Sequence, residues 1–400
     1  MWKNKLKKTS LFVLLKSFKN TLDNKKIEPV LNKYKKKYNI NNFEYNNFKH
    51  DILSYIKLIQ LENKYEYKFS KSSEKKDLYS SVYTVMTLGL FDEIKNLNIK
   101  DKDSWTNYIL SFQKENGLFV DDYLESPLSN KIHYWGWFHL LPHLIIALDY
   151  LEAKPKYDFK FIYEMFENKT VEEWLDSRDW KENYLAVSNE IMNITVLLQY
   201  SRDTFNNELG KDYVDRILLW LKTNQIDKKT GLWGNKTSRS NLDISKAVKT
   251  AYHYIPMFVY DNDLEGLNIE NIIKYTLQTQ NQFGTYGPCC LTDGCEDIDS
   301  LYLLIQLPIS KKYSNQVDDS VKIFFDKVFT NMNDDGGFVF RRMTPFQYAD
   351  SKLKSNKDES NMFGTWFRTL SVAYACEYLD IENGFKFSNV SGYQFFREYK

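Results

Sequence analysis

Tyr275-Thr276-Leu277-Gln278-Thr279-Gln280, followed after a short polar connection by Gly284-Thr285-Tyr286, is one copy of a phrase that recurs along the chain. It occurs first as Tyr108-Ile109-Leu110-Ser111-Phe112-Gln113 followed by Gly117-Leu118-Phe119. Trp220-Leu221-Lys222-Thr223-Asn224-Gln225 leads, with two extra spacers, to Gly231-Leu232-Trp233. A worn copy ends in Met332 and Gly336-Gly337-Phe338. Recurrence of this kind decides the architecture before any single residue can be interpreted.

Around these phrases the chain reads as helical. Its 400 residues contain only 15 Gly and 8 Pro. Apolar residues recur at helical spacing, as in Leu144, Ile145, Leu148 and Leu151, or Val214, Ile217, Leu218 and Leu221. Few runs alternate with period two for long enough to suggest a substantial sheet. Each phrase closes one helix and introduces a glycine-containing connection, and a second helix then opens on polar and aromatic residues. Those openings fall near Leu78–Tyr83, His133–Trp137, Ser188–Asn193, Lys249–His253, Glu296–Ser300 and Ser360–Arg368. Their spacing of roughly 45 to 65 residues is that of a helical hairpin with its loops. Six hairpins fit an all-α closed ring, an α/α toroid with inner and outer helix layers. The inner N-termini then gather at one mouth, where their dipoles favour carboxylates or an anionic ligand. Residues 1–65 lack the phrase and are expected to form an N-terminal helical extension, with the toroid domain spanning 66–400.

The phrase resembles the QW repeat of squalene and oxidosqualene cyclases, and more loosely the repeats of protein prenyltransferase β subunits. In that family the Gln and aromatic residues tie neighbouring repeats together and do no chemistry. The resemblance covers roughly residues 75–390 and extends to one more segment. Eleven residues after Tyr286 stands Asp297-Ile298-Asp299-Ser300, where class II terpene cyclases carry Asp-x-Asp-Asp or a variant ending in Cys. The resemblance implies that Asp299 is the general acid that protonates an alkene or epoxide, and Asp297 its supporting carboxylate. Such an acid must be held protonated by apolar surroundings and a like-charged neighbour, and aromatic walls would stabilise a cation. Ser300 departs from that pattern, and the chain has room for one ring only. Asp293-x-x-Glu296 also reads as a plain capping box, with acids ordinary in a first helical turn. Asp293-Gly294-Cys295 is similar to the Asp-x-Cys zinc ligands of prenyltransferase β subunits, but Ser360–Trp366 lacks the His that would complete them. No metal and no cofactor are expected.

Other inner-helix openings supply further candidates. His133 stands beside Tyr134, Trp135 and Trp137 and could be a base in an aromatic-walled site or a satisfied core histidine. His139 and His143 share a face at i, i+4, a geometry that can bind metal, although Pro142 lies between them. Asn189, Glu190 and Asn193 suit a ligand's hydroxyl groups or simply a helix start. Lys249, Tyr252 and His253 open the fourth inner helix, and His253 could serve as a second acid or base. Trp366 and Arg368 in the sixth could hold an anionic group, and Glu296 joins them as a binding candidate. Acid–base catalysis by His133, His253, Asp297 and Asp299 is therefore the expected chemistry.

Composition removes some classes and keeps others. A net charge of +1 gives no field for nucleic acid. Phosphate-binding loops, Gly-x-Ser-x-Gly elbows and His-Glu-x-x-His are absent. Four Cys make no disulfide framework, and the cytosol is the default compartment. Lys3, Lys5, Lys7, Lys8 and Lys16 surround the apolar run Leu11–Leu15, which is too short to span a bilayer. That segment reads as a plain helix or as a basic amphipathic one resting on a membrane surface. The 29 Tyr and 27 Phe suit an aromatic-lined cavity, though biased codon usage gives the same excess. The leading expectation, which the resemblance implies, is an isoprenoid cyclase or prenyltransferase; the alternatives are a carbohydrate-active toroid (hydrolase, lyase or epimerase) whose substrate is a glycan, and a non-catalytic ligand-binding ring.

Overall fold

The computed structural model describes residues 29–34, 36–121, 123–124, 137–224, 226–227, 230–234, 240–289, 291–348, 352–392 and 394–397. His133 and Trp135, and the basic N-terminal segment, lie outside the described residues. Thirteen α-helices are described. Six of them form the inner layer: α2 (Leu78–Leu90), α4 (Trp137–Tyr150), α7 (Tyr184–Phe205), α9 (Asn241–Tyr260), α11 (Gly294–Gln306) and α13 (Met362–Tyr378). The others are α1 (Tyr45–Ile59), α3 (Ile99–Leu110), α5 (Lys160–Glu164), α6 (Val171–Asp176), α8 (Glu208–Asn224), α10 (Ile269–Leu277) and α12 (Ser314–Val328). A single two-stranded hairpin, β1 (Phe346–Gln347) with β2 (Lys354–Ser355), is antiparallel and pairs Phe346 with Ser355.

The inner layer closes on itself. Helix α2 packs on α4, α4 on α7, α7 on α9, α9 on α11, α11 on α13, and α13 back on α2. This is an all-α, α/α toroid. The two layers differ in sequence because they differ in surroundings. Every residue of α13 from Met362 to Cys376 is buried, as expected for a helix flanked on all sides. Outer α12 instead buries one stripe, Val317, Ser320, Val321, Phe324, Phe325 and Val328, and turns its charges outward. Four of the inner helices begin where a polar side chain binds one of their first free amides. Asp77 accepts from Ser80 N, Ser240 from Asp243 N and Asn361 from Gly364 N, and Asp293 with Glu296 forms a full capping box. Pro142 and Pro256 are carried inside α4 and α9.

The repeated phrase builds the joints between hairpins. Isolated antiparallel bridges join Gln113 to Phe119, Ile226 to Trp233, Gln280 to Tyr286 and Met332 to Phe338. A further bridge, Gln60 to Tyr67, precedes α2; it lacks the glycine that marks the other copies. Each glycine then meets the following hairpin. Gly117 abuts Asp158 and Phe159, Gly231 abuts Asn268, and Gly284 abuts Ile323 of α12. The series returns to its start, because Gly336, at φ +86°, lies against the backbone of Asp51 in α1. The glutamines do the same work by hydrogen bonding. Gln113 Oε1 accepts from Lys156 N at 2.7 Å while its Nε2 donates to Tyr157 O at 2.7 Å. Gln280 Nε2 donates to Ser320 O at 2.8 Å. Helix α1, inside the 1–65 stretch, packs Phe48 against Phe91, Phe329 and Phe338.

The two ends of the ring are unlike. Residues 386–392 and 394–397 cross the end formed by the inner helix C-termini. Lys386 N donates to Leu90 O at 2.8 Å, and Ser388 Oγ to Asp149 at 2.8 Å. Tyr374 and Tyr302 hydroxyls donate to Gln394 O and Phe395 O, and Gln306 accepts from Arg397 N at 2.7 Å. The N-terminal end of the inner helices holds a cavity. Among the described residues, no helix is long and apolar enough to cross a membrane.

Candidate active site

A cavity of about 490 Å³ opens at the inner helix N-termini. One side is polar: Lys246, Lys249, Tyr252 and His253 from α9 face Asp293, Cys295 and Asp299 at the start of α11. Helix α7 and the residues before it add Glu182, Asn183, Tyr184 and Asn189. The opposite side is aromatic, with Phe363 and Phe367 of α13, Phe340, and Phe346 and Tyr348 from the β-hairpin. Phe340 and Phe346 lie 4.1 Å apart between centroids, and Phe363 and Phe367 lie 4.6 Å apart.

Asp297 and Asp299 have different surroundings. Residues i and i+2 of an α-helix project about 200° apart, so these carboxylates leave opposite sides of α11. Asp297 turns into the protein, where its Oδ2 lies 2.5 Å from Arg368 Nη1 and its Oδ1 accepts from Tyr286 N at 3.0 Å. Both members of this ion pair are fully buried. Arg368 also donates to the carbonyls of Val339, Thr292 and Phe340. The pair thus binds the turn of Tyr286, α11, α13 and the aromatic loop into one unit.

Asp299 faces the cavity at 2% exposure and makes no hydrogen bond to any described residue. Burial holds its carboxyl well above the usual carboxylate range; Lys249 opposes this, while Asp293, Glu296 and Asp297 reinforce it. Its surroundings therefore favour the protonated form over the carboxylate. Asp293, by contrast, is engaged: its Oδ1 caps Glu296 N at 2.7 Å and its Oδ2 accepts from Arg341 at 2.7 Å. Glu296 is the other half of that capping box. Burial and the neighbouring Asp293 lift it to about 7.

His253 is fixed in one tautomer by its partner. Ser188 Oγ donates its single proton to Leu185 O at 2.8 Å, because a carbonyl can only accept. The 2.7 Å contact between Ser188 Oγ and His253 Nδ1 must then be donated by the imidazole. The Nε2 lone pair is left for the cavity. Burial, with Lys249 adding to it, lowers His253 to about 3, so the ring is neutral.

Of the other sequence candidates, Asn189 and Tyr252 line the cavity with Asp299 and His253. Asn193 is buried behind Asn189 and donates to its Oδ1 at 3.1 Å. Glu190 pairs with Arg178 at 3.2 Å, Trp366 stacks near Tyr83, and Glu296, Asp297 and Arg368 serve the joints just described. None of these five lines the cavity. His139 does: its Nδ1 bonds Tyr79 Oη, which meets Tyr348 Oη at 2.8 Å, and burial lowers it to about 3. His143 Nδ1 donates to His139 O at 2.8 Å. Among the described residues no three His, Cys, Asp or Glu gather to hold a metal ion.

Sequence reading missed Lys246, Phe340, Phe346, Gln347 and Tyr348. A signal was there, since the connection from Phe338 to Met362 is much longer than the others and carries these aromatics beside Arg341 and Arg342.

Fold and site together define a six-hairpin toroid with a cavity that buries a cluster of acidic and basic groups. No protein-family model matches the sequence, and no curated protein matches it. Among solved structures the chain is similar to a GH76 α-mannanase from Bacteroides thetaiotaomicron, at 12% identity over 84% of this chain and 96% of that one, with a TM-score of 0.46. A family 88 glycosyl hydrolase from Bacteroides vulgatus gives 12% identity over 82% and 98%, with a TM-score of 0.47. The type II terpene cyclase MstE from Scytonema gives 9% over 82% and 96%, with a TM-score of 0.44. At such values the chemistry of this chain rests on its own residues.

Proposed function

We propose that the protein is a carbohydrate-active enzyme that cleaves a glycosidic bond in the ring cavity. Asp299 gives its proton to the departing oxygen, and His253 Nε2 takes a proton from the water that replaces it. The observation that carries this reading is the pairing of a buried carboxyl, whose surroundings favour its protonated form, with an imidazole that keeps Nε2 for the cavity, on neighbouring helices that face one cavity. General acid–base catalysis needs both protonation states at working pH. The amides of Asn183, Asn189 and Gln347 suit sugar hydroxyls, and Phe340 and Tyr348 offer faces for a sugar ring to stack on. Asp297 acts here as a positioning residue, held by Arg368.

A second reading, acid-initiated isoprenoid cyclisation, draws on the aromatic side of the cavity. Phe340, Phe346, Phe363 and Phe367 could stabilise a cation next to the Asp299 proton. One screen tests both: purified enzyme and Asp299→Asn are incubated with oligosaccharide panels and with prenyl diphosphates, and products are read by mass spectrometry. New reducing ends formed by the wild type alone support the first reading. Cyclised or transferred prenyl products formed by the wild type alone replace it with the second.

A further inference from the structure

We propose that Lys249 and Lys246 form a subsite for an anionic group of the substrate, which on the carbohydrate reading is the carboxylate of a hexuronate. The inference rests on that reading for the identity of the anion, but on geometry for the subsite itself. Lys246, Lys249 and His253 stand at i, i+3 and i+7, so they follow one face of α9 from the mouth inward. All three line the cavity.

Asp293, Glu296 and Asp299 together hold Lys249 charged, but none of them gives its ammonium a close hydrogen bond. Glu296, its nearest anionic partner, is 3.9 Å away, at the outer limit of an ion pair. Asp293 is taken by Arg341 and by the amide of Glu296, and Glu296 Oε2 accepts from Asp293 N at 3.1 Å. The Lys249 ammonium makes no hydrogen bond among the described residues, although its side chain is only 20% exposed. An ammonium has three donors, and burying it without acceptors is costly unless something supplies them. A bound anion would supply them. Lys246 at the rim has no ion pair among the described residues and adds charge where the ligand enters. The N-termini of α7, α9, α11 and α13 converge on the same end and contribute partial positive charge.

The test is calorimetric titration of the full chain with glucuronate and galacturonate oligosaccharides, their carboxyl-reduced neutral counterparts, and farnesyl diphosphate. The variants are Lys249→Met, Lys249→Arg and the rim variant Lys246→Ala, each checked by circular dichroism. The expected result is at least about tenfold tighter binding of a uronate oligosaccharide than of its reduced form. That preference should be lost in Lys249→Met, partly kept in Lys249→Arg, weakened in Lys246→Ala, and reduced by salt. Should Lys249→Met fail to fold, Lys246→Ala and the salt dependence still decide. Equal binding of acidic and reduced oligosaccharides, unaffected by the lysine variants, overturns the subsite and leaves the carbohydrate reading standing. Lysine-dependent binding of farnesyl diphosphate alone keeps the subsite and removes the carbohydrate reading. Failure of every anionic probe to bind overturns the subsite.

Discussion

Arg368 and Asp297 meet at 2.5 Å with neither side chain exposed to solvent, and together they join α11, α13 and two connecting loops. Removing one partner leaves the other charged and buried. Arg368→Gln should therefore destabilise the fold by about 3–5 kcal/mol, read as a lowered midpoint in urea. An unchanged midpoint would mean that the pair does not hold the joint.

Asp299 should behave in the opposite way. It makes no hydrogen bond within the described protein, so Asp299→Asn costs little or even raises the melting temperature, because a buried acid is replaced by a neutral amide. Turnover should fall by about a hundredfold or more, the usual scale for loss of a general acid. A variant that keeps its activity removes Asp299 from the mechanism.

The pH profile follows from the two groups. His253 must be neutral, and burial places it at about 3, so its acid limb lies near that pH. Asp299 must be protonated, and its pKa is raised, so activity is lost as pH rises through that elevated value. The alkaline limb should thus lie above the ordinary carboxylate range. An enzyme whose rate falls as pH rises through the ordinary carboxylate range would contradict the assignment.

Asp77 makes stability pH-dependent. It caps α2 through Ser80 and is buried, which lifts its carboxyl to about 8. A folded-state pKa above the unfolded value favours the fold fully below the unfolded pKa, and that contribution is lost as pH rises through the folded one. Melting temperature should decline between roughly pH 4 and 8. Asp77→Asn keeps the acceptor for Ser80 N and should flatten the slope; an equal slope in both proteins would exclude Asp77 as its source.

Gly336 tests ring closure. With φ at +86° and Asp51 backbone against it, a β-carbon has neither the conformation nor the room. Gly336→Ala should cost about 1–3 kcal/mol. Gly266 also has a positive φ but open space around it, and its alanine variant should cost less. Equal losses would show that the close approach to α1 does not matter.

Much of the scaffold was legible because its joints are made locally. A glycine and an aromatic close each copy of the phrase, and an antiparallel bridge forms in every copy even where the spacing or the Gln differs. The Gln60–Tyr67 joint escaped notice because it lacks the glycine that punctuates the others. The site was only half legible. Asp299, His253, Tyr252 and Asn189 could be picked out as cavity-facing candidates because acids, amides and imidazoles recur at successive inner helix starts, although helix capping alone also places such residues there. What sequence could not convey is side: Asp297 and Asp299 look like a pair in one dimension, yet helical rotation sends one to Arg368 and the other to the cavity. The aromatic wall was hidden for another reason, since Phe340, Phe346 and Tyr348 reach it from a long irregular connection with no period to read.

Residues 386–392 and 394–397 give this ring a floor. The described cavity opens at the opposite end, so a ligand that fills it enters among the inner helix N-termini.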